Sequence, residues 1–119
     1  MKDLKIFDAE HKILDIIWEK EPINSTKLTK ICLEKLGWKK TTTYTVLRKL
    51  CDRGVLKNEN ATVTALIKRE QIQKHEGEAL LDKSFDGSLP TFLAAFLKDK
   101  KISVKEADEL KKMIEEAIK

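Results

Sequence analysis

Cysteine is nearly absent from this 119-residue chain: Cys32 and Cys51 are the two it has. Both fall on apolar-leaning helical positions, and nothing suggests a disulfide framework, which excludes a small cross-linked secreted scaffold. Glycine is scarce, at four residues, and no Gly-rich loop is available to cradle a nucleotide phosphate. The two histidines, His11 and His75, are far apart and lack metal-ligand spacing with either cysteine. No nucleophile–base constellation is present, so no enzyme, metal or cofactor is expected. No apolar run approaches the ~20 residues of a membrane span. The N-terminus lacks the apolar region of a secretory signal. The glycosylation sequons at Asn24-Ser25-Thr26 and Asn60-Ala61-Thr62 then read as chance matches. These absences together predict a cytoplasmic, reducing setting without membrane insertion.

Hydrophobic residues at 41% suffice for a modest core, and charged residues reach 37% with a net charge of only +4. The distribution says more than the sum. Residues 1–68 hold 14 Lys+Arg against 9 Asp+Glu, and residues 69–119 hold 10 against 11. Within 35–57, Lys35, Lys39, Lys40, Arg48, Lys49, Arg53 and Lys57 face Asp52 alone. A basic half joined to a near-neutral half fits a polyanion-binding module plus an interaction module. A merely basic, solvated surface is the alternative.

Three short helices are predicted in the basic half. The first begins at Asp8 as N-cap and buries Ile13, Leu14, Ile16, Ile17 and Trp18, and Pro22 ends it. Asn24 or Ser25 caps the second, which buries Leu28, Ile31, Cys32 and Leu36 until Gly37 closes it. The third runs from Thr41 to Arg53, with Val46, Leu47 and Leu50 as its apolar stripe. Its other face carries Thr41, Thr42, Tyr44, Thr45, Arg48 and Lys49. A solvated helix would carry Glu and Lys there. Hydroxyls and positive charge suit base edges and phosphate oxygens instead. Thr41, Thr42, Tyr44 and Thr45 are the candidate base contacts. Arg48, Lys49, Lys39, Lys40 and Lys57 are the candidate phosphate contacts. Gly54 stops this helix. Val55–Lys57 and Thr62–Ile67 read as the strands of a small β-hairpin, with Asn58-Glu59-Asn60 as its turn and Lys57 and Lys68 as nearby bases. The fold class is therefore mainly α with a small β-wing: a winged helix-turn-helix domain over residues 1–68.

Residues 69–119 read as a three-helix segment. The first of these helices runs from Arg69 to about Phe85 and breaks at Asp86-Gly87. Ser88 caps the next, with Pro90 in its first turn, and Ser103 with Glu106 opens the last. So short a segment is marginal as a core. Phe85, Phe92, Leu93, Phe96, Leu97, Leu110 and Ile114 need partners. The same segment of a second subunit, about a two-fold axis, is the expected one, and packing against the first domain is the alternative. A two-fold dimer would set two recognition helices about 34 Å apart, one DNA turn.

Several motifs resemble the penicillinase/methicillinase repressor family of bacterial winged-helix regulators. Ala9-Glu10 with Ile13-Leu14-Asp15-Ile16-Ile17-Trp18 resembles the family's first helix. Trp38, Thr42 through Leu50, and Arg53-Gly54-Val55-Leu56 resemble its recognition segment. Phe85-Asp86-Gly87-Ser88-Leu89, with Phe92 and Phe96, resembles the start of its dimerisation segment. The resemblance runs from about Asp8 to Lys119. It implies a dimeric transcriptional repressor whose Thr-x-x-Thr pair, here Thr42 and Thr45, lies in the major groove of operator DNA. It also implies a membrane sensor metalloprotease that relieves repression by cleaving near Ala95-Phe96. This chain departs from the family pattern at His11, where an aromatic is usual, and at Tyr44, where a base is usual. It has no C-terminal Cys-x-Cys cluster, so copper sensing by that route has no support. A winged-helix protein-interaction module without DNA binding is the competing reading. The basic 35–57 segment argues against it.

Overall fold

The structure is a computed structural model and describes residues 4–119. Its elements are α1 (Asp8–Lys20), β1 (Ile23–Asn24), α2 (Ser25–Leu36), α3 (Lys40–Asp52), β2 (Leu56–Glu59), β3 (Thr62–Ala65), α4 (Arg69–Ser84), α5 (Leu89–Leu97) and α6 (Val104–Ile118). The chain forms two compact units, one running to Ala79 and one from Leu80 to Lys119. The expected architecture, mainly helical with a small β-wing, is the one observed.

In the first unit α1, α2 and α3 bury Ile13, Leu14, Ile17, Leu28 and Leu50 completely. Each such side chain contributes roughly 1.5–3 kcal/mol by leaving water. The helix ends follow local chemistry. Asn24 Oδ1 accepts from the Thr26 and Lys27 amides at 2.8 and 3.4 Å and caps α2. Gly37, at φ 68°, ends that helix, and Trp38 N–H reaches back to the Cys32 carbonyl at 3.3 Å. Only a residue tolerant of left-handed backbone closes a helix this way without strain. Gly54, at φ 76°, does the same after α3. Ile72 of α4 is fully buried in this core, so the start of α4 belongs to the winged unit.

Three details differ from the sequence reading. Asp8 is not the N-cap of α1 but its first helical residue; Phe7 occupies the cap. Phenylalanine has no acceptor to offer, and the Glu10 carboxylate instead takes the Phe7 amide at 2.9 Å. The wing strand continues through Asn58 and Glu59, and the turn is Asn60-Ala61, both with positive φ, 54° and 62°. Such a two-residue turn matches the twist of the flanking strands. The hairpin is also part of a three-stranded antiparallel sheet in the order β1-β3-β2. Ile23 pairs with Val63, and both side chains are buried. Lys68 stands after β3 at the root of the wing and pairs with Glu21 at 3.2 Å, away from the tip.

The second unit is different in kind. Helix α5 is capped by Ser88, whose hydroxyl takes the Thr91 amide at 3.1 Å, and α6 by Ser103, which takes the Glu106 amide at 3.0 Å. Neither helix has a buried residue. Phe85 meets Phe92 edge-on at 5.3 Å, and Phe92 stacks on Phe96 at 5.7 Å. Phe96 and Ile114 remain about half exposed.

Candidate nucleic-acid interface

Helix α3 presents one buried and one solvent face. Thr43, Leu47 and Leu50 point inward. Thr41, Thr42, Thr45, Arg48 and Lys49 are exposed and Tyr44 is half-buried. Thr43 therefore belongs to the packing and not to the polar face. Its hydroxyl is buried without a nitrogen or oxygen partner and meets the Cys32 thiol. Burial pushes both the Cys32 and Cys51 thiols up from their ordinary pKa, which favours the thiol over the thiolate.

The start of α3 is electrostatically unusual. Lys39 is its N-cap without a side-chain cap bond, Lys40 is its first residue, and no acid lies in the first turn. Cations at the positive end of a helix each cost ~0.3–1 kcal/mol, and free amides there favour an anion. Lys40 is also 5.9 Å from the Tyr44 ring. Among the described residues, Lys39, Lys40, Arg48 and Lys49 have no ion pair.

Two of the seven bases counted in the sequence are already spent. The Arg53 Nη1 donates to both Glu10 oxygens at 2.9 Å, and its Nη2 donates to the Lys5 carbonyl. Arg53 is a clamp between α1, the N-terminal segment and the end of α3. Lys57 pairs with Glu59 at 2.7 Å along β2. Neither pair is visible in a charge count, because both depend on chain geometry.

The hydroxyl face also has internal bonds. Thr45 Oγ1 donates to the Thr41 carbonyl at 2.9 Å. Its proton is thereby used, leaving lone pairs and a methyl group outward. Tyr44 is oriented by packing on the core edge, with its hydroxyl 3.5 Å from Ser25 Oγ on α2. With Arg48, Cys51 and Asn58 it lines a groove between α3 and the wing.

Trp18 fixes the other end of the unit. Its Nε1 donates to the Ile67 carbonyl at 3.0 Å, and the Arg69 guanidinium lies 5.3 Å from its ring. His11 is held by Glu76 at 2.6 Å. Among the described residues, no cluster of His, Cys, Asp or Glu could hold a metal ion. No described helix is long and apolar enough to cross a membrane.

Three helices, a three-stranded sheet with a hairpin wing, and a polar, basic face on the third helix define a winged helix-turn-helix regulator. The penicillinase repressor family model matches residues 6–116. A penicillinase repressor of Bacillus licheniformis is 25% identical over 116 residues, covering 94% of this chain and 91% of that protein. The chain belongs to the penicillinase repressor family, whose members are transcriptional repressors and not enzymes.

Proposed function

We propose that the protein acts as a homodimer, binds an inverted-repeat operator in double-stranded DNA and represses transcription by occluding polymerase. The observation that carries this reading is the solvent face of α3, with hydroxyls, four unpaired bases and no acid before Asp52. Thr42 and Thr45, flanked by Thr41 and the open edge of Tyr44, read base edges in the major groove. Lys39, Lys40, Arg48 and Lys49 hold phosphates, while Lys57, the base of the wing, is paired with Glu59. Thr45, with its proton engaged by Thr41, faces the groove as an acceptor and a methyl group. It suits an adenine or cytosine amino group or a thymine methyl.

Residues 80–119 supply the dimer contact in this reading. A unit whose last two helices leave Phe96, Met113, Ile114 and Ile118 half or more exposed in a single chain is completed by a second copy. Relief of repression by a membrane sensor metalloprotease belongs to the same proposal. Ala95 and Phe96 are both exposed in the last turn of α5. A nine-residue helix without a buried side chain opens locally at small cost, as a protease requires.

Salt titration of binding to a duplex selected from a random library tests the reading. Four free bases per protomer, eight per dimer, predict that log K falls against log salt with a slope of roughly −7. A shallow response, or no duplex selected at micromolar protein, would refute DNA binding. In the same assay Arg48→Ala should weaken all duplexes alike and remove about one unit of slope per protomer. Thr45→Ala should leave the slope alone and relax preference at one base pair by ~1–3 kcal/mol. An unchanged selected motif for Thr45→Ala would remove that residue from the readout.

A further inference from the structure

The outward face of the wing gathers hydrogen-bonding side chains around the Lys57–Glu59 ion pair. Lys57 and Glu59 are two apart on β2, so both side chains leave the same face of the strand. Their cross-strand partners on that face are Thr64 and Thr62. These four, with Asn60, line one shallow cleft. An ammonium, two hydroxyls and a side-chain amide are a donor set suited to a phosphodiester oxygen. Glu59 places its carboxylate 2.7 Å from the Lys57 ammonium in the midst of that set.

The arrangement is held in place from behind. The Ser25 amide donates to the Ala61 carbonyl at 2.8 Å, so the turn is tied to the start of α2. Pairing of Ile23 and Asn24 with Val63 and Thr62 fixes the strand opposite Glu59. Its hydrogen bond and charge pairing with Lys57 lower the Glu59 carboxyl from its ordinary pKa, which favours the charged form.

We propose that Glu59 is an internal competitor for DNA phosphate: it occupies Lys57 and keeps the wing from adding affinity for any duplex. This inference rests on the DNA-binding reading above. Its consequence is functional. A wing contact to phosphate carries no sequence information and would raise operator and random-sequence binding together. With the wing neutralised from within, discrimination rests on α3.

A salt titration of the full-length chain on the selected operator and on a scrambled duplex of the same length tests this. Glu59→Gln frees Lys57 and should tighten both duplexes by a similar factor, several-fold at moderate salt. The slope should steepen by ~0.9 per protomer, or roughly 1.8 per dimer. Lys57→Gln in the natural background should leave the slope unchanged, because that lysine is not yet on phosphate. The double variant Lys57→Gln/Glu59→Gln should lose the added slope. All four proteins should melt together, since an exposed pair of this kind adds little to stability. Two results would overturn the inference: a natural slope for Glu59→Gln, or a flattened slope for Lys57→Gln alone. If the natural protein binds no duplex, the DNA-binding reading fails first, and the role of Glu59 fails with it.

Discussion

Phe96→Asp is expected to turn the proposed dimer into monomers and to weaken the proposed operator binding by two to four orders of magnitude. Phe96 is 50% exposed although it stacks on Phe92 and has the Lys100 ammonium 4.1 Å from its ring centroid. On α6, Met113, Ile114 and Ile118 are 66%, 53% and 79% exposed. Large apolar side chains left in water at this density mark an interaction surface. An aspartate at a half-exposed helical position costs a lone chain little. Desolvated against a second copy, an unpaired carboxylate costs several kcal/mol. A two-headed repressor gains ~10²–10⁴ in affinity from tethering its heads, and a monomer forfeits that gain. Sedimentation should show the halved mass, and a half-site duplex should bind both proteins equally. Ile114→Asp is a second probe of the same surface. An intact dimer from both variants would place the interface elsewhere.

Much of this molecule was legible because its helix ends carry local signals. Asn24, Gly37, Ser88 and Ser103 sit where side-chain chemistry alone satisfies the end groups of a helix, and each closes or opens one as expected. Apolar spacing found the buried stripes of α1, α2 and α3 for the same reason: a helix repeats every 3.6 residues and leaves a visible period. Strand β1 had no such trace. Two residues have no period, and Ile23-Asn24 became a strand only because Val63 and Thr62 lie beside them. Asn58 and Glu59 read as turn residues by composition, but the hairpin register places them in the ladder. Ala61 at φ 62° is equally opaque, since alanine does not favour that backbone region.

For the candidate interface, the identity of the exposed face was readable and its internal bonding was not. Thr41, Thr42, Thr45, Arg48 and Lys49 lie on the solvent side, as helical geometry requires. The sequence offered no sign that Tyr44 would lie against α2, because Ser25 is remote along the chain. The charge count overstated the positive surface for a related reason. Lys57 is neutralised by a neighbour two residues away that only an extended strand brings alongside. Arg53 is neutralised by a residue of the first helix.

That last pair is expected to be the largest single polar contribution to the stability of the winged unit. Glu10→Ala should cost about 2–4 kcal/mol. Removing one partner of a fully buried ion pair costs ~3–5 kcal/mol because the other charge is stranded. The lower end applies here because the Arg53 side chain is 24% exposed while that of Glu10 is 9% exposed. The Phe7 amide also loses its acceptor at the start of α1. For a domain of this size each kcal/mol lowers Tm by ~4–8 °C, so a fall of roughly 10–25 °C should appear in thermal unfolding followed by circular dichroism. A fall of only 1–2 °C would mean that solvent already screens the pair. Arg53→Ala should cost a similar amount and leave the salt slope of DNA binding where it was. Arg48→Ala should do the reverse, sparing Tm and flattening the slope. The two arginines are five positions apart near the end of one helix, and only their partners distinguish them: a buried carboxylate for Arg53, and open solvent where a phosphate would lie for Arg48.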